Sequence, residues 1–190
     1  AKDLGCEVTE DEIKEAHEAY RSMYDKKKGH IISWTKRPDI IAVYDLMPEF
    51  MSWWLWNEPI LTAEAVINTI EKFPVIRDCL PIMCKSDGSF FVESDHPFDV
   101  PEIRWNAGIY YNGGSWMRVE YLAYVAALKH GWPKARERMK KRLEADINIR
   151  PDEPLSHEWI PCREGVEWDM SKVFAWNAFI IIANKVAGLR

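Results

Sequence analysis

Two kinds of helical pattern take turns along this chain. Ile13, Ala16, Tyr20, Met23 and Tyr24 recur at helical spacing on one side of a charged segment, and Thr9 with Glu12 makes the Thr-x-x-Glu signature of a helix start. Such a helix buries one face and wets the other. Residues 46–56 (LMPEFMSWWLW) are apolar almost all round. A tight Asn57-Glu58-Pro59 connection then leads to a helix from Thr62 towards Phe73-Pro74, with Ala63, Val66, Ile67, Ile70 and Phe73 as its single stripe. The pair recurs. Residues 116–128 (WMRVEYLAYVAAL) are apolar on nearly every side, and His130-Gly131-Trp132-Pro133 stops them and opens a helix with the narrow stripe Ala135, Met139, Leu143 and Ile147. Residues 170–187 return to the all-round type. A helix apolar all round needs neighbours on every side, and a one-sided helix faces water. The order outer, inner, outer, inner, outer, inner therefore predicts an all-α chain, one domain over 1–190, built of three helical hairpins.

Connection lengths add a direction to this pattern. Inner-to-outer joins take a few residues, whereas the outer-to-inner joins, about 29–44, 75–115 and 150–169, are long. Long loops gathered at one end of a ring of hairpins would form the mouth of a funnel, where functional residues sit on a rigid scaffold. Within the middle loop, residues 85–92 predict a small β-hairpin around Asp87-Gly88. That loop also carries Asp95, Asp99, Glu102, Arg104, Trp105, Tyr110, Tyr111 and Asn112, and it closes on Gly113-Gly114-Ser115-Trp116. The third carries Asp152, Glu153, His157, Glu158, Trp159, Glu164, Glu167 and Trp168, and the first adds His30, Trp34, Asp39 and Asp45. Carboxylates mixed with Trp and Tyr suit glycoside chemistry, in which one acid protonates the departing oxygen, one base activates water and aromatic rings hold the sugar.

Composition narrows the partners. A net charge of −5 and a pI near 5.6 leave no basic field for a polyanion, so nucleic acid is not expected. Ten Trp residues need either a core or a cleft that stacks on flat apolar faces, and sugars offer such faces. Cys6, Cys79, Cys84 and Cys162 have neither metal-finger spacing nor disulfide-scaffold density; reduced thiols and a cytoplasmic setting are the default, with a secreted or periplasmic one left open. The most apolar run, 174–183, is broken by Asn177 and closed by Asn184 and Lys185, so no membrane span is expected. No cofactor is implied, and His157 without a second ligand does not define a metal site.

Three segments carry a family resemblance: Trp56-Asn57-Glu58-Pro59-Ile60-Leu61-Thr62-Ala63-Glu64-Ala65, Gly108-Ile109-Tyr110-Tyr111-Asn112-Gly113-Gly114-Ser115-Trp116, and Ser156-His157-Glu158-Trp159-Ile160. Together they resemble the C-terminal half of a six-hairpin (α/α)6-toroid glycosidase, nearest glycoside hydrolase family 63 and its trehalase-like relatives. The resemblance covers most of the chain from Asp45 onward and departs from the family pattern at Asn112 and Met117, which replace an Arg and a Pro. It implies that the chain is about half of the ring. Glu158 is then the general base of an inverting displacement, with Trp105, Tyr111, Asn112, Trp116, His157 and Trp159 contacting sugar or orienting Glu158. In those families the general acid comes from an earlier hairpin; within this chain the candidates are Asp45, ranked first because it opens an inner helix, then Asp99 and Glu102.

Half a ring leaves apolar helix sides uncovered, so a missing N-terminal half or another subunit is an expected partner besides the carbohydrate. The first expectation is an inverting glycosidase acting on a glucoside- or mannoside-type bond, or its base-bearing half. A sugar phosphorylase or epimerase on the same scaffold, and a non-catalytic carbohydrate-binding or assembly subunit, are the alternatives.

Overall fold

A computed structural model describes residues 8–92, 107–149, 151–152, 157–163, 165 and 178–189. They form a mostly helical body with two small two-stranded antiparallel sheets. Helix α1 (Glu10–Ser22) starts as its sequence dictates: the Thr9 hydroxyl accepts from the Glu12 amide, and the Glu12 carboxylate accepts from the Thr9 amide. Strands β1 (Tyr24–Asp25) and β2 (His30–Ile31) make a short hairpin over Lys26 to Gly29. A 3-10 turn (Val43–Leu46) runs into α2 (Met47–Leu55), and α3 (Ala63–Glu71) follows, capped by the Thr62 hydroxyl on the Ala65 amide.

The expected small hairpin of residues 85–92 is replaced by a longer-range pairing. β4 (Met83–Lys85) pairs with β3 (Ile40–Ala42), so the first and middle loops are stitched together, and the Asp87-Gly88 tip survives as a turn in which the Lys85 amide donates to Ser89 O. Ile40, Ile41, Met83 and Cys84 are all fully buried in that pairing. Burying four apolar side chains in a core outweighs a local hairpin whose far strand has Val92 exposed.

Helix α4 (Met117–Lys129) is the axis of the body. It is buried at Met117 and from Val119 through Ala127, and it packs against α2, α3, the 3-10 turn, α5 (Ala135–Ile149) and α6 (Phe179–Val186). The expected inner character thus holds fully for α4. It holds only in part for α2, where Glu49, Phe50 and Ser52 are buried but Trp54, Leu55 and Trp56 are exposed. The residues that wall α2 in cover the side facing α4 and leave its C-terminal end uncovered. The last expected helix appears as α6, and its earlier part, residues 170–177, lies outside the described residues. No helix of the described residues is long and apolar enough to cross a membrane.

Polar ties lock these helices. Glu49, fully buried on α2, accepts from the amides of Ile60 and Leu61 at 3.1 and 2.8 Å and meets His130 Nε2 at 2.7 Å, joining α2, the entry to α3 and the end of α4. Tyr121 donates to Asn184 Oδ1 at 2.7 Å and ties α4 to α6.

Candidate functional site

The beginning of α4 is where the middle and third loops meet. Ser115 and Ile160 exchange both backbone hydrogen bonds at 2.7 Å, and the Cys162 amide donates to Gly108 O at 2.8 Å. These bonds set the His157-Glu158-Trp159 segment against the Tyr110-to-Trp116 segment. Gly114 makes the close approach possible, because a Cβ there would lie 2.6 Å from the Tyr110 nitrogen and 2.8 Å from the Trp159 ring. Gly114→Ala is expected to destabilise the protein by about 1–3 kcal/mol through this overlap with backbone, read as a lowered Tm with the loop contacts disturbed first.

An aromatic cluster results. Tyr111 stacks on Trp116 with ring centres 5.1 Å apart, while Tyr110 lies 4.5 Å from Tyr111, 5.1 Å from Trp116 and 5.7 Å from Trp159. Trp116 and Trp159 are nearly buried; Tyr110 and Tyr111 are half-buried. The guanidinium of Arg118, the second residue of α4, lies 4.2 Å over the Trp116 ring. Glu158 is half-buried beside them. Burial first, and then the Glu158 charge, push the Tyr110 hydroxyl upward. Desolvation lowers the pKa of Arg118 against the opposing pull of Glu158. The Trp116 Nε1–H is buried, and no group among the described residues accepts from it. Most buried donors have a partner, so this one marks a place where an acceptor is expected.

The other expected site residues are placed differently. Asn112 is fully buried, with its amide oxygen accepting from Phe91 N–H and its NH2 donating to Phe91 O, both at 3.0 Å. The sugar-contacting role expected for Asn112 is therefore corrected to a loop-holding one, because both ends of its amide serve backbone that would otherwise be orphaned in the core. His157 is buried with Nδ1 3.4 Å from Asp146 Oδ1, so it faces α5 and not an open cleft. Trp105, Asp99 and Glu102 lie outside the described residues.

Asp45 lies in the 3-10 turn that leads into α2, and its carboxylate takes a hydrogen bond from the Ser33 hydroxyl. The hydroxyl of its neighbour Tyr44 is pushed up to about 12 by burial and then by the charges of Asp45 and Tyr111. Burial pushes the Asp45 carboxyl up to about 6, against the opposing bonds from Ser33 and the Ala42 backbone. A folded-state pKa raised above that of the unfolded chain means that the native protein binds this proton more tightly. Its stabilising effect is present at low pH and is lost as pH rises from about 4 to about 6. Asp45→Asn is accordingly expected to raise stability at pH 7 by on the order of 1–2 kcal/mol and to flatten the pH dependence of Tm across that window.

Sequence reasoning missed Arg118 and Tyr44. Arg118 had a legible signal, standing two residues beyond Trp116 in the first turn of α4. Tyr44 had none, standing just after the short strand β3, whose pairing with β4 the sequence does not announce. Among the described residues no group of His, Cys, Asp and Glu has the geometry of a metal site. Comparisons with protein-family models, with curated proteins and with solved structures find no match.

Proposed function

We propose that this chain is an inverting glycoside hydrolase, or the base-bearing C-terminal half of one, built on helical hairpins of the six-hairpin toroid type. The observation that carries the proposal is the grouping of Glu158 with Tyr110, Tyr111, Trp116 and Arg118 at the start of the buried helix α4. The packing of α4 against α2, α6, α3 and α5 agrees with an inner helix flanked by inner and outer neighbours.

In this reading the Tyr111–Trp116 pair holds one sugar face, and the unpartnered Trp116 Nε1–H donates to a sugar hydroxyl. Glu158 takes a proton from water as that water attacks the anomeric carbon, and the C–O bond to the leaving sugar breaks while a second carboxyl protonates its oxygen. Asp45, whose carboxyl burial raises to about 6 and to which Ser33 donates, is the first candidate for that acid, with Asp99, Glu102 or a segment that completes the ring as the others.

The test is the anomeric form of the first product, read by proton NMR during cleavage of nitrophenyl glucosides and mannosides of both anomers. Inversion is expected. Retention, or no cleavage by the chain either alone or with its completing segment, counts against the proposal. Arg118 favours one second reading, phosphorolysis, in which its guanidinium takes a phosphate oxygen; turnover that requires inorganic phosphate would select it.

A further inference from the structure

The buried face of α5 is made largely of charged residues. Ala135 and Met139 share it with Arg138, Arg142 and Asp146, and Arg142 and Asp146 have no exposed surface at all. Arg142 Nε donates to Glu120 Oε2 at 2.9 Å, Arg142 lies 3.7 Å from Asp146 one turn further on, and Asp146 meets His157 at 3.4 Å. Glu120 anchors the other end on α4, where its carboxylate also accepts from the Leu80 amide, Tyr124 and Ser115. A line of buried charged and polar groups, hydrogen-bonded between Glu120 and Arg142 and spaced at 3.7 and 3.4 Å beyond, thus runs from the core of α4, through α5, to the residue immediately before Glu158.

Charges buried in this way seldom add net stability over an apolar packing of the same volume, so their placement calls for another account. The account lies in what they reach. On its C-terminal side Glu158 is held by the Ile160–Ser115 bridge, by the Cys162–Gly108 bond and by Arg77, which donates to the Pro161 and Arg163 carbonyls. On its N-terminal side His157 is buried with Nδ1 3.4 Å from Asp146 Oδ1. Holding the chain on both sides limits where the Glu158 side chain can reach, and the ring of Trp159, next in sequence, lies 5.7 Å from that of Tyr110.

We propose that Arg142, Asp146 and His157 are positioning residues that aim Glu158. The claim rests on Glu158 being the base, but its structural half is tested independently of turnover. Asp146→Asn is compared with the native chain in two measurements: steady-state hydrolysis of the nitrophenyl glycosides, and deuterium uptake resolved over 157–163 and 117–129. The expected result is a kcat lowered about tenfold to a hundredfold at unchanged KM, as a misaimed catalytic group produces. Uptake should rise in 157–163 while 117–129 stays protected, and Asp146→Asn should cost no further activity in a Glu158→Gln background. His157→Asn, which leaves the Glu120, Arg142 and Asp146 charges intact, reads the same quantities should Asp146→Asn not fold. Unchanged uptake in 157–163, or an equal rise in both segments, overturns the proposal; so does a selective rise with kcat unchanged in a chain where Glu158→Gln is inactive. If Glu158→Gln hydrolyses normally, the base assignment falls, and the uptake pattern still decides whether this line of residues holds the loop.

Discussion

Glu158→Gln is expected to lower hydrolysis by about a hundredfold to ten-thousandfold and to leave sugar binding within a few fold of the native value. The size follows from the role: a general base contributes about 10²–10⁴ in rate, and the amide cannot take the proton from water. The split between kcat and KM follows from the geometry. In the proposed reading Glu158 takes the proton, while the stacked Tyr111–Trp116 pair, which the substitution does not touch, carries the sugar ring. Both quantities are read from one set of steady-state curves. Undiminished kcat in this variant removes Glu158 from the reaction.

The largest effect on stability is expected from Glu120→Ala. Its carboxylate is buried and accepts four hydrogen bonds, from the Leu80 amide at 2.9 Å, Tyr124 at 2.6 Å, Ser115 at 2.5 Å and Arg142 at 2.9 Å. Alanine leaves an amide and two hydroxyls in the core without their acceptor and leaves the Arg142 guanidinium with Asp146, 3.7 Å away, as its remaining carboxylate. Removing one partner of a buried ion pair costs about 3–5 kcal/mol, a large part of the ~5–15 kcal/mol that holds a domain together. Chemical denaturation is expected to show the midpoint falling accordingly. Glu120→Gln, which keeps the shape and one acceptor oxygen, is expected to lose less. A loss below about 1 kcal/mol for Glu120→Ala contradicts the picture of a core held by this carboxylate.

Helix starts were legible wherever a side chain closes its own cap. Thr9 and Thr62 announce α1 and α3 because the capping oxygen and the amide it serves lie three residues apart. The walled-in character of α4 was legible too, since an unbroken apolar surface has one physical solution. The polar interior was not. Glu49 and Glu120 interrupt helices that the pattern reads as apolar all round, Arg142 and Asp146 lie on one that it reads as water-facing, and the partners that hold them are not neighbours in sequence, as Leu80 is not of Glu120. The β3–β4 pairing was hidden for the same reason: its strands are only three residues long, too short for period-two alternation to stand out.

The candidate site was legible as chemistry and less so as geometry. The rings of Tyr111, Trp116 and Trp159 gather around Tyr110, and Glu158 is next to Trp159 in the chain. Asn112 sits in the same motif but turns inward, because the loop it belongs to needs its amide for the Phe91 backbone. Burial raises the Asp45 carboxyl to about 6, and the Ser33 hydroxyl, twelve residues earlier, donates to it. Residue type and spacing state what a side chain can do, whereas its direction is set by contacts across loops.

The most direct test titrates indole-¹⁵N-labelled Glu158→Gln protein with gluco- and manno-oligosaccharides and follows the Nε1–H resonances. Trp116 and Trp53, at opposite ends of α4, each carry a buried Nε1–H without an acceptor among the described residues, which makes Trp53 the internal control. The expected result is a saturable shift of the Trp116 resonance with one of these sugars while that of Trp53 stays still. Saturable binding that moves Trp53 and leaves Trp116 unchanged, or no movement of any indole resonance with any of the sugars, contradicts a saccharide site beside Glu158.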